Sequence, residues 1–403
     1  MKTGDPELMR EINRFHILDL IRRHGPIARV EICARGDLSS TTVSAITGAL
    51  IEDGIVQPVP VGGIHESAAR GRPRVMLQLN PSAARVVGLR VGPHGIAAAV
   101  TDFRGEVLSS LEVPVRVRRQ PVTVVADLAE DAVRRVVVDA ALTLRDVDSI
   151  CATLPGIVEY GTGLVRASPI FAERDVLFGE ALSRRLDIRT VVESDANAIA
   201  LAEHWFGGCR DLGDFAVLFL EQSIGLGVMH DGRLFRGAHG LSHDIGRMVL
   251  GTDARGALVR LVDVASETAV LTAFEADPVV RDAARAGLGL RHAVERLGQT
   301  GLAAPPLVTE AGRAIGIAVA NVATLFAPPR IILSGSLLGF GAPLVEAISA
   351  GFAEAVAEPL AEVTEILTDP PRGAARLGQG AAAVALCELY GSPWNTTGPV
   401  RPG

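Results

Sequence analysis

Residues 243–259, HDIGRMVLGTDARGALV, set a His, an Asp and glycines in a polar turn, then continue with the rhythm of a metal loop but without a cysteine. The residues leave three readings open: a working ligand pocket, one that has lost its contents, or ordinary loop and helix. A second group with chemical capacity lies nearer the N-terminus. Ser39, Ser40, Thr41, Thr42, Ser44 and Thr47 cluster at the start of one helical stretch, and Arg70, Arg72 and Arg74 follow in a polar loop. Short hydroxyl side chains at a helix N-terminus bond phosphates and base edges, and arginines pair with phosphate or enter a minor groove. This is the chemistry of duplex DNA contact. Ala45 stands where a basic or amide residue would read a base, so direct readout from this helix is expected to be thin. The same kind of module also serves protein contacts.

These residues need elements to present them. Residues 8–24, LMREINRFHILDLIRRH, carry apolar side chains at helical spacing, and Gly25-Pro26 stops the run. A short helix is expected near 29–35, then a turn at Gly36-Asp37-Leu38, then a helix capped by Ser39 and running to about Asp53. Helix, glycine-containing turn, helix is the spacing of a helix-turn-helix. IVQPVPV (55–61) and RVMLQLN (74–80) read as strands around the polar loop 62–73, which makes the motif a winged one. Val43, Ile46 and Leu50 are expected to face its core, and Ser40, Thr41, Thr42, Ser44 and Thr47 to face outward. From about Pro81 the pattern changes. Strands at 86–92, 96–103 and 107–115 precede a helix near 122–142 and a strand at 149–156. A related succession follows: FAVLFLEQ, the turn SIGLG and the strand GVMHD. Strand, glycine turn, strand, met twice, points to a duplicated α/β unit with a ligand cleft between the halves.

At 403 residues the chain is long enough for two or three domains and a sizeable core. No apolar run is long enough to span a bilayer, and the polar start MKTGDPELMREINR does not read as a secretion signal. The four cysteines are scattered, which fits a reducing cytoplasm and argues against a disulfide framework or zinc ribbon. A net charge of −7 excludes a uniformly basic nucleic-acid binder but not a local basic patch.

Several stretches taken together resemble the ROK family of repressors, open reading frames and kinases, over nearly the whole chain. They are GRPRVMLQLNP (71–81), VESDANAIALAEHWFG (192–207), GAHGLSHDIGR (237–247), IGIAVANVATLFAPPRIILSGSLLGFG (315–341) and GQGAAAVAL (378–386). The resemblance implies an α/β chain. A winged helix-turn-helix (1–80) would precede a two-lobed actin-like, ribonuclease H-like sugar-kinase domain (81–390) with its cleft near 195–247. A Pro/Gly-rich tail (391–403) would end it.

Motif by motif, the resemblance implies a regulator rather than an enzyme. Arg90 stands where the family's DxGGT-like turn has its carboxylate, and a cation cannot hold magnesium. Glu221-Gln222-Ser223-Ile224-Gly225-Leu226-Gly227 stands where the family has GTGxGxG, with a carboxylate facing the place of a phosphate. These read as two independent losses in one nucleotide site. No catalytic residue and no cofactor is therefore expected. Asp195 matches the family's catalytic base and is expected to accept hydrogen bonds from a sugar; on its own it also reads as the N-cap of a helix over 196–205. Asp244 replaces the family's glutamate. Arg247, Leu250, Thr252 and Ala257 replace its zinc ligands, and Val259 its last glutamate, so no metal is expected. His239 and His243 read as ordinary loop residues, while Ser194 and Ile170 stand where asparagines are usual. The ligand set is thus expected to be Asp195, Asn197, Asp244, Arg247 and Gly156. Arg247 would either bind an anionic ligand group or pair internally with Asp244. The expected partners are duplex operator DNA, a sugar, sugar acid or sugar phosphate, and further copies of the chain in a homodimer or homotetramer, with no membrane. Two alternatives are an ATP-dependent sugar kinase, favoured by Asp195, and a ligand-blind DNA-binding oligomer.

Overall fold

The computed structural model describes residues 6–59, 75–274, 306–369 and 372–391. Arg70, Arg72 and Arg74, the rest of the loop between the wing strands and all but the first residue of the C-terminal tail lie outside them. Among the described residues no helix is long and apolar enough to cross a membrane.

The N-terminal head contains α1 (Pro6–His24), α2 (Arg29–Gly36) and α3 (Ser40–Glu52). The turn into α3 places Asp37 in the left-handed region (φ 49°), and the Ser39 hydroxyl accepts the Thr42 amide as the cap. Strands β1 (Ile27–Ala28), β2 (Val56–Val59) and β3 (Met76–Leu79) form a sheet in the order β1-β3-β2. Two of these strands were expected; β1, with two residues, is too short to leave a period in the sequence. Ile17, Leu18, Ile21, Ile32, Val43, Leu50 and Leu77 fill the core, and Ile46 packs against it. One expected orientation is corrected. Thr47 does not face outward but is fully buried. It lies four residues after Val43 and three before Leu50, on the stripe that an α-helix turns inward. Its hydroxyl donates to the Val43 carbonyl at 2.7 Å and accepts from Arg29 Nε at 2.8 Å.

The larger domain repeats one plan twice. In the first lobe, β4 (Arg85–Gly92), β5 (Gly95–Asp102) and β6 (Val107–Val113) form an antiparallel meander. Strand β7 (Ser149–Leu154) adds in parallel to β4, and, after the small hairpin β8–β9 (Ile157–Glu159, Leu164–Ala167), β10 (Thr190–Ser194) adds in parallel to β7. In the second, β11 (Phe215–Leu220), β12 (Ile224–His230) and β13 (Arg233–Phe235) form the meander. After the hairpin β14–β15 (Val249–Thr252, Leu258–Arg260), β16 (Arg330–Ser334) and β17 (Glu365–Thr368) add in parallel. Helices α4 (Val122–Asp139) and α5 (Phe178–Leu186) cover one face of the first sheet. The first of these ends three residues before its expected end, and Ala141 then turns left-handed (φ 57°). Between the lobes runs α6 (Asp195–Trp205). The second lobe carries α7 (Leu261–Ala265), α8 (Glu267–Phe274), α9 (Pro306–Phe326), α10 (Ala342–Ala355) and α11 (Glu358–Val363), and α12 (Ala374–Leu389) returns to pack on β4 and β5.

All eleven residues of α6 are buried. The segment expected as a glycine-rich phosphate turn is what lets it in. Leu220 pairs with Ile224, so the turn shrinks to Glu221–Ser223 and Gly225 and Gly227 belong to β12. A Cβ on Gly225 would lie 2.8 Å from Ala196 Cβ, and one on Gly227 only 2.4 Å from the Ala196 carbonyl oxygen. These glycines bring a strand against a helix backbone.

The head sits on the C-terminal end of α6. Asp19 binds Arg22 Nη2 at 2.6 Å and Arg23 Nε at 2.7 Å. Arg22 Nη1 donates to the Trp205 carbonyl at 3.0 Å, with its guanidinium 4.5 Å from the ring centroid. Arg23 Nη1 donates to the Arg210 carbonyl at 3.1 Å, and its Nη2 lies 3.1 Å from His204 Nε2. The other ring nitrogen of His204 lies 3.2 Å from the Cys209 carbonyl, which can only accept, so the proton sits on Nδ1 and Nε2 accepts from Arg23. Burial and the adjacent Arg23 push this imidazole down to about 4, which keeps it neutral.

Gly227→Ala is expected to destabilise the protein by about 1–3 kcal/mol, because the new methyl meets backbone rather than a movable side chain. Urea unfolding should show a lower midpoint at unchanged slope; an unchanged midpoint would mean that α6 is free to move away from β12.

Candidate functional site

The first sheet brings Arg90, near the end of β4, to the N-terminus of α6. Arg90 Nε donates to Asp195 Oδ2 at 3.1 Å, and Arg90 Nη2 lies 3.8 Å from Glu221 Oε2 at the tip of the β11–β12 turn. The side chains of Arg90, Asp195 and Glu221 are 12%, 4% and 19% exposed. Arg90 and Glu221 therefore belong to one arrangement, where the sequence alone had treated them separately. They are opposite charges that face each other across the lobes. Glu221 is held further by the Ser336 amide, which donates to Oε1 at 3.0 Å, and its carbonyl accepts the Glu267 amide at 3.0 Å. His94 Nε2, from the β4–β5 turn, lies 3.5 Å from Glu267 Oε1.

Asp195 is not the cap of its helix. Ser194 takes that place, its hydroxyl accepting the Asn197 amide at 3.4 Å, and Asp195 is the first helical residue. This leaves the carboxylate free to reach across to Arg90. The pair is only half satisfied, because Asp195 Oδ1 and Arg90 Nη2 are both buried without a hydrogen-bond partner. Against the desolvation that burial imposes, Asp195 and Glu221 hold the Arg90 pKa above its ordinary value. Burial pushes the Glu221 carboxyl up to about 6, with Arg90 opposing and Glu267 adding to the rise.

Asn197 lies two residues along and is turned elsewhere. Its Nδ2 donates to Glu193 Oε1 at 2.9 Å. Glu193 also accepts from Arg236 Nε at 2.8 Å, and Arg236 lies 3.8 Å over the Tyr160 ring, whose hydroxyl donates to Glu388 at 2.6 Å. Sequence reasoning missed Glu193 and Arg236. The one signal for Glu193 was its place two residues before Asp195; Arg236 had none. Gly156 adopts φ 131°, where a Cβ would strike the Ala167 carbonyl at 2.2 Å, and its own carbonyl accepts from Ser242 Oγ at 3.1 Å.

Residues 243–259 resolve into two parts. Leu226 of β12 bridges to His243, and Asp244 leads into a short 3-10 turn over Ile245–Arg247. Arg247 Nε lies 3.3 Å from Asp244 Oδ2, but its side chain is 72% exposed, which makes this a surface pair of small energetic worth. Burial raises the Asp244 pKa, and Arg247 opposes the rise. Beyond this turn, β14 and β15 form a hairpin. Asp253 Oδ1 ties its turn by accepting the amides of Arg255 and Ala257 at 2.9 and 2.8 Å. Leu250, Thr252, Ala257 and Val259 bring no nitrogen, thiolate or carboxylate to this hairpin, so its donor set does not fit zinc.

A cavity of about 1240 Å³ opens elsewhere, between the head and the larger domain. Phe15, His16 and Asp19 of α1 line one wall, and Tyr160, Phe235 and His239 the other. Asp195, Asn197, Asp244 and Arg247 do not border it.

On the head, Ser39, Ser40, Thr41 and Ser44 are exposed at the start of α3, as is Ala45. The Thr42 hydroxyl is 2.8 Å from that of Ser39, so these two share a hydrogen bond at the cap. Thr47 is withdrawn from this surface, and Arg29 is tied to it from the preceding helix.

Comparisons with known proteins match two stretches of the chain separately. The ROK family profile matches residues 86–388, and a winged helix-turn-helix DNA-binding profile matches residues 10–57. A putative xylose repressor of Caldicellulosiruptor sp. (strain Rt8B.4) is 27% identical over 348 residues, covering 82% of this chain and 84% of the relative. The DNA-binding transcriptional dual regulator NagC of Escherichia coli (strain K12) is 27% identical over 247 residues, covering 61% and 59%. Among solved structures, a ROK family transcriptional regulator described as a homolog of the E. coli MLC protein superposes with a TM-score of 0.72 at 24% identity, over 94% of this chain and 97% of that one. A ROK hexokinase from Thermus thermophilus superposes with a TM-score of 0.55 at 28% identity, over 76% and 100%.

The Glu221 carboxyl gives the site a pH signature. Its pKa is raised from 4.5 to about 6, so its contribution to stability is full below pH 4.5 and is lost as pH rises through 6, by about 2 kcal/mol. Glu221→Gln should remove that slope. Unfolding free energies of variant and parent are expected to diverge in the variant's favour by this amount between about pH 4.5 and pH 7.5, and parallel profiles would contradict the raised value.

Proposed function

We propose, from the premise that this chain belongs to the ROK family and carries a winged helix-turn-helix, that it is a transcriptional regulator. In this reading it represses by occupying duplex operator DNA and responds to a sugar or sugar-derived ligand in the effector domain. The observation that carries the reading is the site at Asp195, where the chain's own Arg90 faces both the matching carboxylate of the family's base and Glu221. A kinase needs that space for transferred phosphate and magnesium. An internal guanidinium pairs with the base instead, and a carboxylate faces the phosphate side, so the protein acts as a sensor and not as a phosphotransferase. The wing arginines 70, 72 and 74 and the exposed hydroxyls of Ser39, Ser40, Thr41 and Ser44 hold the DNA. Two heads in a homodimer or homotetramer span paired half-sites. The protein works in the cytoplasm.

The half-satisfied pair also bears on ligand class. Asp195 Oδ1 needs a donor and Arg90 Nη2 an acceptor. A hydroxyl is both, whereas a phosphate or carboxylate would be repelled by Asp195 and Glu221. A neutral, hydroxyl-rich sugar therefore fits better than a sugar acid or sugar phosphate, and Asp244 and Gly156 are its further proposed contacts. The surface pair of Arg247 with Asp244 favours its role as an internal partner over that of an anion receptor.

A thermal-shift screen against neutral sugars, sugar acids and sugar phosphates tests this, followed by gel-shift titration on a duplex enriched from random sequence. A neutral sugar is expected to raise the melting temperature and to change DNA affinity, while Mg-ATP with the same sugar yields no phosphorylated product. Turnover abolished by Asp195→Ala would replace the reading with the kinase, and a shift only with anionic ligands would reverse the assignment of ligand class.

A further inference from the structure

We infer that α6 is a rigid coupling rod between the ligand site and the DNA-binding head, and that Arg23 and His204 are the positioning pair through which it acts on α1. The inference rests on the ligand-site reading for its input, but its mechanical part stands on contacts alone.

One helix has both ends engaged. Its first residue, Asp195, is held by Arg90 from β4, and its last two, His204 and Trp205, are held by Arg23 and Arg22 of α1. An eleven-residue helix spans about 15 Å, so the two ends are well separated. In between, the helix has no slack. Every residue is buried, Gly225 and Gly227 bring β12 against Ala196 and Ala200, and Glu203 binds Arg372 beside α12. A displacement at Asp195 therefore moves the helix as a body, because a close-packed interior passes strain on and does not absorb it.

The output end is built to notice. The contact depends on one tautomer of His204, with Nε2 accepting from Arg23 while Nδ1 donates to the Cys209 carbonyl. It also depends on Arg22 reaching the Trp205 carbonyl. These hydrogen bonds tolerate only a few tenths of an ångström before they weaken. On one flank of this seat lies the 1240 Å³ cavity between α1 and the effector domain, so α1 has room to tilt there. The input end is equally discrete. A ligand hydroxyl that takes up Asp195 Oδ1 and Arg90 Nη2 draws on both side chains that the single Arg90–Asp195 bond joins, and reorienting Asp195 shifts the first turn of α6.

The decisive measurement is a double-mutant cycle on DNA affinity in the full-length protein, without ligand. Arg90→Lys and Arg23→Gln are made singly and together, with Glu221→Gln as an alternative input change should Arg90→Lys fold poorly. Residues this far apart without a shared partner normally act additively. The inference expects the effect of the Arg90 change on DNA affinity to fall at least five-fold when Arg23 is also changed, the lower end of ordinary allosteric coupling. Arg23→Lys, which keeps a donor toward His204, should restore part of it. Additive effects in both cycles would overturn the inference.

A second measurement uses the sugar found by the screen. Arg23→Gln and His204→Gln should keep the sugar-induced rise in melting temperature but lose the sugar-induced change in DNA affinity. If both variants respond like the parent, the rod is not the route. A screen that finds no sugar while the cycle still couples would remove the ligand reading and leave the rod standing.

Discussion

The structure turns on the buried ion pair between Arg90 and Asp195, with Glu221 completing it from the opposite lobe. Three charges enclosed at the junction of β4, α6 and the β11–β12 turn could not stand there singly. Removing Arg90 would leave two carboxylates desolvated and unmatched, which is costlier than the pair is stabilising. Arg90 and Glu221 are therefore one arrangement. It bridges the lobes, Arg90 from the first facing Glu221 from the second. The Arg90–Asp195 bond uses one atom from each partner and leaves one buried donor and one buried acceptor unfilled.

The second constraint is the burial of α6. A helix hydrogen-bonded within itself and enclosed on all sides needs neighbours that approach its backbone, and only glycine permits that approach at positions 225 and 227. Its polar side chains each need a specific partner: Arg90 for Asp195, Glu193 for Asn197, Arg372 for Glu203 and Arg23 for His204. Buried polar groups so paired fix one position of the helix among many that apolar packing alone would allow. The DNA-binding head thereby takes its seat on an element whose other end lies in the candidate ligand site.

Much of this was legible in the sequence, and the legible part was local. The Ser39 cap, the Gly36-Asp37 turn and the apolar stripe of α3 each act within one helical turn, so the helix-turn-helix could be read directly. The strand–turn–strand units and the fold class followed from short-range alternation and from motifs resembling the ROK family. Local reading failed where two local preferences competed. Thr47 looked like a member of a hydroxyl face, yet it falls on the stripe shared by Val43 and Leu50 and went inside. Asp195 looked like a cap, yet Ser194 holds that place and frees the carboxylate. Gly225 and Gly227 looked like a phosphate turn, yet strand pairing with β11 drew them into the sheet.

The sequence by itself determined which elements form and which charges the site contains: Arg90, Asp195 and Glu221 stand at motif positions that any reader can mark. Tertiary structure alone decided that Arg90 meets both carboxylates. Arg90 and Asp195 are 105 residues apart, and whether their side chains meet depends on the register of β4 with β7 and of β7 with β10 and on the angle at which α6 leaves the sheet. A charge considered within its own motif carries only its sign. Its effect depends on distance and on exclusion from water, and both are set by the packing of segments remote in the chain.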